Sequence, residues 1–234
     1  MKKLFSVILT LALLTVCVTP AFAAGKLETV SDVLYVTEGY SSVYCYAYGE
    51  VENTGDKTVY YKDGLVEVFD EDEEVLKSYD WLSCYPECLE PGEKAFLIGS
   101  FSLDSGVSKD AVADYDITPS KASSGDNCHR LPAEITYKIV KETYSTYEYL
   151  IATVTNDTSS TIYNAVITMA LKDADGNVVW ASGNSVYNIG IPGGQTIEYR
   201  NQINYDTVIQ YLREQQGVDI STLTPEVIAY FETK

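Results

Sequence analysis

The chain of 234 residues contains one histidine, His129, beside Cys128 and just past a polar, breaker-rich stretch. Catalysis of the Ser-His-Asp or Cys-His kind needs an imidazole positioned against its nucleophile. No such site is assigned, and His129 is read as a polar residue of a connecting segment. Cations are also scarce: 16 Lys and Arg face 34 Asp and Glu, a net charge of −18. A surface of that sign repels phosphate backbones and anionic lipid, which argues against nucleic acid as a partner. The acids are scattered apart from Asp70-Glu-Asp-Glu-Glu74, which reads as a solvated turn. A glycosidase needs only a pair of carboxylates. With so many available their presence decides nothing, and the chain is read as non-enzymatic.

Only one long hydrophobic run is present, Leu4 to Val18, and it is too short to span a bilayer comfortably. Lys2 and Lys3 precede it and Ala21-Phe22-Ala23 follows, the layout of a signal peptide with cleavage expected after Ala23. Val16 is bulky where a lipid-modified Cys17 would call for a small residue. No membrane span is expected after cleavage, and the protein is expected to be secreted or held at the cell surface. Removing residues 1–23 takes away two lysines and no acids, so the net charge falls from −18 to −20.

Cysteine is sparse too. Cleavage leaves Cys45, Cys84, Cys88 and Cys128, an even number that suggests two disulfides in an oxidising compartment. The expected pairs are Cys84–Cys88, with Pro86 bending the chain between them, and Cys45–Cys128. The alternative is Cys45–Cys88 with Cys84–Cys128. Cys-x3-Cys with Cys128-His129 falls short of zinc-ligand spacing, and neither metal nor cofactor is expected.

What the sequence does hold is a repeat. Val51, Asn53, Tyr60, Asp70, Asp72 and Val75 return 103 positions later as Val154, Asn156, Tyr163, Asp173, Asp175 and Val178, without a gap. Pro91-Gly92 returns as Pro192-Gly193, 101 positions later. Such self-similarity marks a duplicated unit. Twenty tyrosines among many Val, Ile and Thr favour strands. In the first copy strands are expected at Val33–Val36, Ser42–Glu52, Val59–Phe69, Val75–Trp81, Ala95–Ile98 and Tyr115–Ile117, with Ser105–Asp114 a possible short helix. In the second they are expected at Tyr149–Thr155, Ile162–Leu171, Val178–Ala181, Thr196–Tyr199 and Pro225–Glu232. One helix is predicted from an Asp206 cap to Gly217, on the apolar face Val208, Ile209 and Leu212. Asp173-Ala-Asp-Gly-Asn177 reads as a hairpin turn, since a calcium loop would need glycine where Val178 stands. The expected architecture is all-β: two tandem immunoglobulin-like antiparallel β-sandwiches at 24–117 and 134–234, joined by a linker at 118–133, with one short helix near the C-terminus.

Val66-Glu-Val-Phe-Asp70 and Met169-Ala-Leu-Lys-Asp173 resemble the F-x-L-Y-D core of the FxLYD domain family, small sandwich-like domains of exported bacterial proteins. Val51-Glu-Asn53, Val154-Thr-Asn156 and the later Pro-Gly turn support the likeness. Neither copy keeps the leading Phe, and the second has Lys172 where the family has an aromatic. That family has no defined activity, so the resemblance implies a fold and a compartment only.

One pattern points to a contact surface. Val43, Cys45, Ala47, Gly49 and Val51 alternate with Tyr44, Tyr46, Tyr48, Glu50 and Glu52. The small apolar set suits the inside of a sandwich, which places the tyrosines on the outer face, grading from partly covered to exposed. That face is expected to meet either the other domain or an external ligand, an extracellular protein or a glycan. The functional expectation is therefore an exported, non-enzymatic binding or adhesion module. The alternatives are an accessory domain of a carbohydrate-active enzyme system and a structural spacer without ligand.

Overall fold

The computed structural model describes residues 25–40, 42–122, 124–186 and 190–233. The expected leader at 1–23 lies outside the described residues. Among the described residues, no helix is long and apolar enough to cross a membrane. The fold is all-β, built from antiparallel sheets, with one α-helix among the described residues.

The first half contributes β1 (Leu27–Glu38), β2 (Val43–Asn53), β3 (Val59–Tyr61), β4 (Gly64–Phe69), β5 (Val75–Tyr85), β6 (Cys88–Leu89), β7 (Lys94–Ser102), β8 (Asp114–Thr118) and β9 (Lys121–Ala122). Six of these form one sheet in the order β1-β2-β7-β5-β4-β8. The sheet curls until its edges approach: the Tyr115 hydroxyl on β8 donates to the Asp32 carbonyl on β1 at 3.5 Å. The small apolar set expected inside is inside. Cys45, Ala47 and Val51 are fully buried with Val66, Val68, Leu82 and Leu97.

The second half contributes β10 (Asn127–Leu131), β11 (Ala133–Lys141), β12 (Thr146–Thr155), β13 (Ala165–Lys172), β14 (Val178–Val186), β15 (Thr196–Gln202), α1 (Thr207–Glu214) and β16 (Thr224–Thr233). They make two sheets, β10-β16-β13-β14 and β11-β12-β15. Leu150, Ala152, Val154, Met169, Leu171 and Trp180 fill the space between them. Helix α1 forms as its sequence dictates. The Asp206 carboxylate accepts the N–H groups of Val208 and Ile209, and Val208, Ile209 and Leu212 are buried.

Hydrogen bonding shows the repeat most directly. Asn53 Nδ2 donates to the carbonyls of Lys57 and Leu89 at 2.8 and 2.9 Å. Asn156 Nδ2 donates to those of Ser160 and Ile191 at 2.8 and 2.7 Å. The Asn53 carbonyl accepts from Gly92 N, and that of Asn156 accepts from Gly194 N. Gly194 rather than Gly193 is thus the counterpart of Gly92; both take positive φ, 79° and 71°. The Asp70 and Asp173 carboxylates each cap their own hairpin, accepting from the N–H groups two and four residues on.

Several expectations need correction. The four cysteines are free thiols, and neither expected pair forms. Cys45 sits mid-strand inside the first core, paired in register with Phe101. Cys128 lies on β10, hydrogen-bonded to β16, with its sulfur against the Cys88 backbone. Pro86 does turn the chain, but the Cys84 thiol donates to the Pro86 carbonyl at 3.2 Å instead of joining Cys88. Burial raises the Cys45 thiol to about 11 and that of Cys128 to about 12. The run 59–69 is two strands in different sheets, because the chain turns at Lys62 and Asp63. Ser105–Asp114 holds only a single turn of 3-10 helix, Lys109–Ala111. The segment read as a linker is structured: β9 pairs with β3, and β10 pairs with β16.

Candidate functional site

The outer face of the six-stranded sheet is where the sequence placed the tyrosines, and strand register maps it in rows. Tyr44 stands level with Thr37 and Ser102, and Tyr46 with Tyr35 and Ser100. Tyr48 is level with Val33 and Ile98, and Ile98 in turn with Ser83. Ser31, Glu50, Phe96 and Tyr85 make the last row.

The second half covers this face unevenly. Strand β14 lies across the last row. Its Val178 N–H donates to Ser31 Oγ at 3.1 Å, and a Cβ on its Gly183 would stand 3.0 Å from the Tyr85 ring. Phe96 is fully buried there, in the same core as Leu150 and Trp180. Tyr35 meets Tyr211 of α1 edge to face, centroids 5.7 Å apart. Burial raises the phenol pKa values of Tyr35 and Tyr48 well above the usual tyrosine range. Moving along β2 away from that row, Tyr48 is 5 % exposed, Tyr46 is half-buried and Tyr44 is 39 % exposed. Of the three residues singled out in the sequence, Tyr48 is therefore held by the second half of the chain, while Tyr44 and part of Tyr46 face outward.

Beneath the covered end lies an ion network. Glu50 has no exposed surface. Its Oε1 meets Lys94 Nζ at 3.1 Å and Lys172 Nζ at 2.9 Å, and Lys172 continues to Glu226 Oε2 at 2.6 Å. Desolvation works against the Lys172 charge, but the two carboxylates outweigh it and raise its pKa. Lys172 thus reaches from the second half of the chain to Glu50 of the first. An open cleft of about 340 Å³ adjoins the network, with Glu93, Lys94, Arg130 and Glu226 in its lining. Its two carboxylates are engaged: Glu93 accepts from Arg130 Nε and from Glu90 N, and Glu226 pairs with Lys172.

One functional candidate was missed in the sequence. Trp81 on β5 is 72 % exposed. Leu82 and Cys84 are buried inward, so Trp81, Ser83 and Tyr85 point outward. Leu82 packs beside Gly99, which brings Trp81 level with Ser100 and Tyr46. The signal was present as the alternation from Trp81 to Tyr85, but ending the strand at Trp81 hid it. Trp81, Tyr46 and Tyr44 thus share the uncovered end of the outer face, with the exposed serines Ser100 and Ser102 between them. No protein-family model and no curated protein matches the chain.

Proposed function

We propose that the protein is an exported, non-enzymatic binding or adhesion module of two tandem immunoglobulin-like sandwiches of the FxLYD kind. The uncovered aromatic end of the first domain, Tyr44, Tyr46 and Trp81, is its contact surface. The observation that carries this reading is the outward display of Trp81 and Tyr44 on rigid strands, next to a row of the same face that is already used to bind protein. Aromatic rings exposed on a regular element contribute to stability only when covered. The apolar run behind a basic start supports export. An accessory role beside a carbohydrate-active enzyme uses the same surface.

Replacing Tyr44 and Trp81 together by serine tests the reading. Tyr48 stays intact, because truncating it would open the domain interface. The circular dichroism spectrum and melting midpoint are expected to change little, while retention on isolated cell-surface material falls at least tenfold. Undiminished retention would put the spacer reading ahead.

A further inference from the structure

We propose that the uncovered end of the outer face is a trough for a neutral glycan chain, an inference that rests on this face being the contact surface. Tyr46 pairs with Ser100 of β7, and continuing the β5–β7 register two residues past Ser83↔Ile98 brings Trp81 of β5 to the other side of Ser100. Two inter-strand steps set the two strands about 10 Å apart. The residues of β7 in that gap are Ser100 and Ser102, both short and exposed. The result is a channel with aromatic walls and a hydroxyl-bearing floor. Pyranose rings present C–H faces that stack on aromatic planes and edge hydroxyls that hydrogen-bond to short polar groups, so both parts of the channel match one ligand class. A protein partner would call for an apolar floor, like the one this same strand offers the second domain with Ile98 and Phe96. Along β7 the trough runs from Ser102 and ends where Ile98 and Tyr48 pass beneath the second domain. The ligand therefore lies along the strand and enters from the Ser102 end.

Charge selects within the class. Asp80 adjoins Trp81, and Glu67 stands on the same outer face, hydrogen-bonded by Ser78 Oγ at 3.4 Å. No lysine or arginine lies in the rows of Tyr44 and Tyr46, and Lys109, which shares a cleft with Thr37, is held over the Tyr211 ring at 5.3 Å beside Glu38 and Glu214. A uronate or sulfated chain would meet repulsion there, and a neutral chain would not.

Affinity electrophoresis of the exported chain tests this against soluble neutral β-glucan, xylan and glucomannan, with alginate and heparin as anionic controls. Retardation by at least one neutral polysaccharide and by neither anionic one is expected. Trp81→Ala should weaken it at least tenfold. Ser100→Leu should do the same, because it fills the floor while leaving every aromatic ring in place. Retardation that survives Ser100→Leu, or that the anionic chains match, overturns the trough. So does failure of every neutral glycan. If Trp81→Ala still abolishes attachment to a purified cell-surface protein while no glycan is retained, the contact surface stands and the glycan inference falls.

Discussion

The two copies share their turn chemistry and part ways in how they use their sheets. Asn53 closes β2 and Asn156 directly follows β12, and each asparagine ties the same three segments together through its own amide. In the first copy β5 bonds to β7 at Ser83, Cys84 and Tyr85, which fuses two three-stranded sheets into one. In the second copy the sheets β11-β12-β15 and β10-β16-β13-β14 stay apart. The fused sheet has a broad outer face, and the second copy uses one of its own sheets to cover half of it. Every residue of β13 is buried: one side meets its own core, and on the other Lys172 reaches Glu50 of the first half.

The outward residues that differ most are Glu50 and its counterpart Thr153, which is exposed in a row with Glu134 and Glu198. The largest expected effect follows. Lys172→Ala strands the Glu50 carboxylate with only Lys94 beside it. Breaking a buried pair from one side costs about 3 kcal/mol or more, because the remaining charge stays desolvated. Thr153→Ala at the equivalent exposed position should fall within about 0.5 kcal/mol of wild type. Chemical denaturation of both variants checks the contrast. Equal effects would mean that the network is solvated and does not hold the domains together.

The inside of each domain was legible because it depends on strand alternation alone: Cys45, Ala47 and Val51 read as inward and are inward. That the tyrosines of β2 would differ in coverage was an expectation of the alternation. Which end would be covered was not, because coverage depends on the angle at which β14 crosses, and that angle is tertiary. Trp81 escaped for a similar reason. Two residues, Asp80 and Trp81, separate the inward Tyr79 and Leu82, and this irregularity in the pairing with β4 interrupts a two-residue period. The cysteines misled because an even count in a chain read as exported is a compositional argument. Position within the sheets decides pairing, and Cys45 faces a packed core.

A middle-sized effect tests the duplication itself. Asn53→Ala leaves the carbonyls of Lys57 and Leu89 without their donor, and Asn156→Ala does the same to those of Ser160 and Ile191. Both asparagines are fully buried. Each change should cost about 2–3 kcal/mol, the price of orphaned buried acceptors. The two values should agree within about 1 kcal/mol. A large disparity, measured by urea denaturation, would show that the matched geometry hides unequal roles.

The smallest effect concerns the one place where the first copy does worse than the second at the same turn. Both acidic hairpins need a left-handed residue at their fourth position. The second copy puts Gly176 there at φ 86°, whereas the first puts Glu73 there at φ 62°. A side chain in that region costs about 1 kcal/mol because Cβ crowds the neighbouring carbonyl. Glycine avoids this crowding but gives up unfolded-state order. Glu73 is exposed and makes no contact that its loss would forfeit beyond its backbone bond to Asp70. Glu73→Gly should therefore raise stability by about 0.5 kcal/mol, and Gly176→Ala should lower it by about 1 kcal/mol. The sign is the test. If both substitutions destabilise, the first hairpin holds its glutamate for a reason other than geometry. If Glu73→Gly stabilises, the first copy carries a turn residue that its own backbone does not favour, and the duplication has left one hairpin better fitted than the other.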